Sequence, residues 1–147
     1  MAAGLDGITI VDLTQGVAGP FATRLLSQMG ARIIKVERPG TGDLIRHWDT
    51  IVGGMCSGHA WVNPGKESVA LDLKSERGRD LLLALVSRAD VVIENFVPGT
   101  LERWGLGWER FREASPRLIF CRVSGFGQDG PYHDRAALDL IVQGETG

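Results

Sequence analysis

The feature that most constrains the fold is a regular alternation of short β-branched runs with segments of helical spacing. Ile8–Leu13 and Arg32–Glu37 are apolar runs of strand length, and apolar residues between them recur at helical intervals until Gly30. Buried parallel strands are typically near-continuous apolar runs. Strand, helix and strand in such close succession form a βαβ unit with a right-handed crossover. The chain is therefore predicted to contain a parallel sheet.

The same alternation continues along the chain. Helices are predicted after Ser75 and over Pro98–Arg112, and three further apolar runs are predicted strands: Ser68–Leu73, Asp90–Phe96 and Leu118–Val123. Arg38–Gly65 is rich in glycine and is predicted to be an extended loop. The order of elements predicts an α/β fold with an open, doubly wound, mostly parallel, Rossmann-like sheet.

Composition excludes several classes of function. The 147 residues include 16 Lys and Arg against 18 Asp and Glu, a net charge of −2, so no global basic field holds a nucleic acid or an anionic membrane. No apolar run reaches the length of a membrane span. Cys56 and Cys121 have no metal-ligand spacing, and free thiols are expected. We expect one cytoplasmic domain with no metal site and no nucleic-acid or membrane partner.

Ligands of an open parallel sheet bind beyond the carboxyl ends of its strands. This rule selects five turns: Thr14–Pro20, Glu37–Asp43, Asp72–Lys74, Asn95–Gly99 and Ser124–Gly130. The first turn opens a helix, whose free N–H groups favour an anion. Ala18 stands where a dinucleotide-binding GxGxxG motif needs its middle glycine.

Charged residues near these turns leave alternatives open. Glu37 stands where a dinucleotide-binding protein would hold a ribose hydroxyl, and Arg38 would suit a ribose phosphate, but a solvated charge pair fits the dipeptide equally well. Lys66, Lys74 and Arg103 are further candidate phosphate ligands. For any one of them, surface solvation is the commoner role.

Common catalytic motifs are missing from the sequence. It contains no GxSxG, HExxH or Walker A motif. His47, His59 and His133 lie in predicted loops without a catalytic partner and are expected to be exposed. Asp139 is expected to stabilise a helix N-terminus. We therefore predict no catalytic residue in the chain.

Longer strings carry a more specific signal. They are VAGP at 17–20, GARIIKVERPG at 30–40, NPGKES at 63–68, DVVIENFVPG at 90–99 and SGFGQDGPY at 124–132. In this order along the chain, they resemble the N-terminal part of the class III coenzyme A transferases. The resemblance implies that coenzyme A (CoA) or acyl-CoA is a substrate, that a carboxylic acid is the acceptor, and that no cofactor is tightly bound.

The resemblance also implies a binding role for ten residues along the rim of the sheet. Val17 and Ala18 would lie beside the pantetheine and thioester, and Arg38 and Arg103 would contact phosphates. The adenine and pantetheine slot would be lined by Leu71, Asp72, Leu73, Lys74, Asn95 and Phe96.

In the family that the chain resembles, an aspartate attacks the acyl thioester and passes through enzyme-bound anhydride and thioester intermediates. That aspartate follows the segment equivalent to Asp139–Gln143 by a further stretch. Residues 1–147 are therefore expected to be the N-terminal part of the large CoA-binding domain, with an incomplete sheet and no activity alone. The nucleophile-bearing and C-terminal parts would lie beyond Gly147. Such enzymes are interlocked homodimers, so exposed apolar residues are expected on the helices.

Other interpretations remain. The chain could be a truncated, non-catalytic module that binds nucleotide or mediates association. An NAD(P) dehydrogenase domain is disfavoured by Ala18. An acyl-CoA racemase is disfavoured because Leu138 stands where those enzymes carry a histidine. Trp61-Val62-Asn63 together with the following GKES resembles branches that act on small dicarboxylic acids such as succinate.

Overall fold

A five-stranded, all-parallel sheet forms the centre of the molecule. The computed structural model describes residues 4–135 and 137–147. The strand order is β3-β2-β1-β4-β5, with β1 Thr9–Asp12, β2 Arg32–Glu37, β3 Glu67–Ala70, β4 Val91–Glu94 and β5 Ile119–Arg122. All five predicted strands are confirmed, most of them shorter than the apolar runs. The order reverses between β1 and β4, which is the switch point where ligands of such sheets bind.

The helices connect successive strands. They are α1 Ala18–Gln28, α2 Ser57–Val62, α3 Glu76–Val86, α4 Thr100–Arg103, α5 Trp108–Ala114 and α6 Asp139–Thr146, with a 3₁₀ helix at Leu44–His47. α3 begins where its sequence predicts, because the Ser75 hydroxyl accepts a hydrogen bond of 3.0 Å from the Gly78 amide.

Two predicted elements differ from the structure. The single helix predicted over Pro98–Arg112 is wrong, because α4 ends before Gly105, whose φ of +73° is left-handed and stops a helix. Leu106 then turns into the core and is fully buried. The predicted loop Arg38–Gly65 contains the 3₁₀ helix and α2. Its buried residues Ile45 and Val62 form a small apolar cluster of their own.

Apolar residues on both faces of the sheet are covered by helices, so the doubly wound architecture is confirmed. On one face Ile10, Ile33 and Ile93 pack with Leu26 of α1. On the other, β-strand residues such as Val11 pack with residues of α3, α4 and α5 in the main core. This division follows from the pleat, in which successive side chains point to opposite faces.

Several large apolar side chains are exposed. Leu25 and Met29 of α1 are 45% and 51% exposed, and Ile119 of β5 is 63% exposed on the face that α1 covers elsewhere. No residue of α6 is buried, and its Leu140 is 80% exposed. Among the described residues, every helix is too short or too polar to cross a bilayer.

Candidate nucleotide-binding cavity

A cavity of about 370 Å³ lies at the carboxyl edge of the sheet. Residues at or beyond the ends of four adjacent strands, β3, β2, β1 and β4, contribute to its walls, and Trp104 at the end of α4 closes one side. The lining residues are Leu13, Gln15, Val36, Glu37, Arg38, Pro39, Leu71, Asp72, Leu73, Lys74, Phe96 and Trp104. The cavity therefore occupies the edge that the fold favours for ligands.

The walls combine apolar surfaces with charged residues of both signs, since Glu37, paired with Arg46, and Asp72 line the cavity together with two cations. Leu71 and Leu73 are buried beneath the cavity, and the rings of Phe96 and Trp104 meet edge to face at 5.5 Å. The side chains of Arg38 and Lys74 are exposed, and neither has an ion-pair partner in the described part of the chain. Such a site suits a ligand that has a flat or apolar body and anionic groups.

Six of the ten predicted binding residues line this cavity. They are Arg38, Leu71, Asp72, Leu73, Lys74 and Phe96. The other four do not line it. Val17 and Ala18 are exposed at the start of α1, and Arg103 is exposed and donates a hydrogen bond of 2.8 Å to the Thr100 hydroxyl. Trp104, which does line the cavity, follows Arg103 directly and was not among the predicted residues.

Asn95 acts on the main chain of the first turn. Its Oδ1 accepts a hydrogen bond of 2.8 Å from the Gln15 amide, and its Nδ2 donates one of 2.8 Å to the Gln15 carbonyl. Gln15 itself lines the cavity. Asn95 thus ties the end of β4 to the turn after β1, one position away from the cavity wall.

Glu37 is committed to a partner within the chain. Arg46 holds both carboxylate oxygens in a bidentate pair, with Nε–Oε2 at 2.7 Å and Nη2–Oε1 at 2.9 Å. Burial raises the pKa of Glu37, but hydrogen bonds from Arg46 and the charges of Arg46 and Lys35 outweigh burial and lower it. The carboxylate is therefore ionised and occupied, which disfavours the ribose-holding role considered for a dinucleotide-binding protein.

A buried ion pair that sequence reasoning missed lies behind the first turn. Lys35 Nζ is 2.9 Å from Asp43 Oδ2, and both side chains are almost fully buried. Lys35 also donates to the Thr14 carbonyl at 2.8 Å, and Asp43 Oδ1 accepts from the Gly16 amide at 2.9 Å. The available signal was a lysine between Ile34 and Val36 on a predicted buried strand, because a charge on a buried strand requires a partner.

Comparison with known proteins identifies the chain. Residues 5–147 match the sequence profile described as CoA-transferase family III. The chain belongs to this family. It is 45% identical to the acetyl-CoA:oxalate CoA-transferase of Acetobacter aceti and 42% identical to the succinyl-CoA:glutarate CoA-transferase of Homo sapiens. Each alignment covers 97% of this chain, but only 36% and 33% of the relative. The chain thus spans about a third of the length of these curated relatives.

Solved structures agree with this assignment. A CAIB/BAIF family protein from Brucella suis superposes with a TM-score of 0.92 at 40% identity, covering 99% of this chain and 39% of that one. A hypothetical protein from Mycobacterium tuberculosis superposes with a TM-score of 0.91 at 42% identity, covering 99% of this chain and 40% of that one. The resemblance stated from the sequence strings and the predicted fold class are confirmed.

Lys66 of this family III chain does not line the cavity. Its ammonium group is buried and lies 3.1 Å from Asp12 Oδ2, and it donates to the Pro20 carbonyl at 2.8 Å and to the Thr23 hydroxyl at 2.7 Å. Burial lowers the pKa of Lys66, and the Asp12 carboxylate opposes that shift. Lys66 fastens α1 to β1 and is not available as the phosphate ligand considered from the sequence.

The histidines divide into two kinds. His47 and His133 are exposed, as predicted. The prediction that His59 is exposed is wrong, because α2 turns its ring inward to 9% exposure, where Asn63 Nδ2 lies 3.1 Å from Nδ1. Burial, followed by the nearby Arg46 charge, lowers the pKa of His59. Its neutral ring therefore serves packing.

Asp139 lies in the first turn of α6 and accepts a hydrogen bond of 2.7 Å from Gln143, in agreement with a role at a helix N-terminus. Among residues 4–135 and 137–147, no group of His, Cys, Asp and Glu is arranged to hold a metal ion. Cys56 and Cys121 are free thiols, as predicted.

Proposed function

We propose that this chain is the N-terminal, CoA-binding part of a CoA-transferase that moves CoA between carboxylic acids. The observation that carries the proposal is the cavity itself. It joins two exposed cations without ion-pair partners in the described chain to an apolar and aromatic wall, at the switch point of a family III chain. CoA combines an adenine, three phosphate groups and a long neutral pantetheine arm, which is the combination of surfaces that this cavity complements.

The two cations support one orientation of CoA in the cavity. Arg38 and Lys74 would bind the phosphates, because charge-assisted hydrogen bonds to phosphate are the strongest that the cavity can form. The adenine would lie against Leu71, Leu73 and Phe96, alongside Asp72. Arg103 lies outside the cavity but directly precedes Trp104, which lines it, and would supply a further phosphate contact from the rim.

The pantetheine arm would then leave the cavity past Gln15 toward Val17 and Ala18. These residues carry no charge and stand at the N-terminus of α1. Asn95 would act there through its two hydrogen bonds to the main chain of Gln15. The thioester would be presented beside the turn after β1.

The chemical step requires a nucleophilic carboxylate that is accessible to the thioester. The buried carboxylates near this edge have partners within the described chain: Asp12 with Lys66, Asp43 with Lys35, Glu37 with Arg46, and Glu94 with Arg122 and the Phe96 amide. We propose that an aspartate outside these 147 residues attacks the acyl thioester, expelling the CoA thiolate and forming an anhydride.

The CoA thiolate then attacks the aspartyl carbonyl, which releases the first carboxylate and leaves an aspartyl-CoA thioester. The second carboxylate attacks the aspartyl carbonyl of this thioester, which expels the CoA thiolate and forms a new anhydride. The CoA thiolate then attacks the acyl carbonyl of that anhydride, which releases the aspartate and forms the new acyl-CoA. Relatives named for oxalate and glutarate support small dicarboxylates as the acids.

Isothermal titration of the chain with CoA tests the binding part of the proposal, with NADPH as the matched dinucleotide. We expect saturable binding of CoA, with an affinity about tenfold or more above that for NADPH. Absence of CoA binding, or equal affinity for NADPH, would contradict the proposal. The chain alone is expected not to transfer CoA from succinyl-CoA to glutarate, and measurable transfer would contradict the placement of the nucleophile.

A further inference from the structure

We propose that Lys35 and Asp43 are positioning residues, which hold the turn Thr14–Ala18 in the orientation that receives the pantetheine arm of CoA. This inference rests on the proposed function, because it explains how that part of the site is held. Neither residue lines the cavity or touches a position assigned to the ligand. Both would act through the main chain of the turn.

The hydrogen bonds of the turn carry the argument. Lys35 donates to the Thr14 carbonyl at 2.8 Å, and the Gly16 amide donates to Asp43 Oδ1 at 2.9 Å. Between them, Asn95 satisfies both main-chain groups of Gln15. Side chains from β2, from the following loop and from the end of β4 thus converge on three consecutive residues.

The conformation of the turn needs this support. Gly16 has a φ of +75°, and glycine adopts positive and negative φ with similar ease, so this residue does not by itself fix the turn. Gln15 lines one side of the cavity. Val17, the N-cap residue of α1, has a side chain that makes no capping hydrogen bond, so it does not hold the start of the helix. The position of the Val17 and Ala18 amides is therefore set by the residues that hold Thr14–Gly16.

The burial of the ion pair makes its geometry specific. The side chains of Lys35 and Asp43 are 2% and 1% exposed, so neither charge is compensated by water. If either side chain moves away, the other is left as an unpaired buried charge. Conformations of the pair other than the observed one therefore cost folding free energy. A buried pair that also bonds two main-chain groups of one turn holds that turn rigidly.

The test compares CoA with adenosine 3′,5′-bisphosphate, which contains the nucleotide but no pantetheine. In K35M the Thr14 carbonyl loses its donor, so the affinity for CoA should fall about tenfold or more, whereas the affinity for the bisphosphate should change by less than about twofold. The matched control is R32M, which removes an exposed ion pair with Glu67 from the other end of the same strand. R32M should change neither affinity.

The double variant K35M/D43N covers the case in which K35M fails to fold. It leaves no unpaired buried charge, and the side-chain amide oxygen that D43N introduces can still accept from the Gly16 amide, so the fold should be retained. The double variant still lacks the donor to Thr14 and should show the CoA-selective loss. If the folded variants bind CoA as wild type does, or lose both ligands equally, the inference is wrong.

Hydrogen exchange separates this inference from the proposed function. Without ligand, exchange at the Gln15 and Gly16 amides should be faster in K35M/D43N than in wild type and R32M. Unchanged exchange would overturn the positioning role whether or not the chain binds CoA. Failure of wild type to bind CoA, with faster exchange in the variant, would instead overturn the proposed function and leave the turn-holding role intact.

Discussion

Replacing Arg38 by Ala removes a cation from the rim of the cavity without breaking an ion pair of the described chain. The Arg38 side chain is exposed and makes no hydrogen bond within residues 4–135 and 137–147. Its loss therefore leaves no unpaired buried group, and the free energy of unfolding should change by less than about 0.5 kcal/mol. Any loss of CoA affinity in R38A then reports on the ligand.

The magnitude follows from the exposure of the guanidinium. A hydrogen bond to a charged group contributes about 1.5–3 kcal/mol, and solvent at an exposed rim places this contact near the lower limit. About 1.5 kcal/mol corresponds to a roughly tenfold increase in Kd. The same contact should weaken with salt, so the ratio of the Kd values of R38A and wild type should shrink as ionic strength rises.

Isothermal titration of wild type, R38A and a control arginine variant measures this difference. The control is R88A, which removes an exposed arginine just after α3, outside the cavity lining. R88A loses the same formal charge, so its Kd for CoA shows how much the loss of one positive charge away from the cavity weakens binding. Equal affinities in R38A and wild type, or equal losses in R38A and R88A, would refute the assignment of Arg38 to the phosphates.

Three further predictions concern stability. L82A should lower the free energy of unfolding by about 2–5 kcal/mol in urea, because Leu82 is fully buried, whereas L81A at the half-exposed neighbour should cost much less. Burial keeps the pKa of His59 below its ordinary 6.5, so wild type should lose stability as pH falls from about 7 to 5, and H59Q should lose less. Burial raises the pKa of Glu94 above 4.5, so the stability of wild type should fall relative to that of E94Q as pH rises above about 4.5.

Each stability prediction has a contradicting result. Equal losses of unfolding free energy in L82A and L81A would show that Leu82 is not buried more deeply than Leu81. Parallel pH dependences of wild type and H59Q, measured by thermal unfolding, would show that His59 does not titrate differently in the folded and unfolded states. A difference between E94Q and wild type that does not vary with pH would remove Glu94 as a source of pH dependence.

The sheet was predictable because each buried strand leaves a short apolar run that local composition reveals. The split between α4 and α5 was not, because Gly105 and Leu106 lie inside a segment whose apolar spacing suits one helix. A glycine is tolerated in many helices, and the turn shows only in the structure, through the left-handed φ of Gly105 and the burial of Leu106 in the core.

The candidate site was predictable where residues follow strands directly. Arg38 and Leu71–Lys74 come just after β2 and β3, and the topology of a parallel sheet brings them to one edge. Trp104 was missed because it reaches the cavity from the end of α4, whose position depends on tertiary packing. The Lys35–Thr14 hydrogen bond and the Lys66–Asp12 ion pair join residues 21 and 54 positions apart, and spacing along the chain does not indicate such contacts.

The most direct test is a titration of the ¹⁵N-labelled chain with CoA, followed by amide chemical shifts. If the cavity binds CoA, saturable shifts should concentrate at Gln15, Arg38, Leu71–Lys74 and Phe96, and should be small at Arg32 and Glu67, where β2 and β3 begin. No saturable shifts, or shifts centred away from the carboxyl edge of the sheet, would contradict the claim that this cavity is a CoA site.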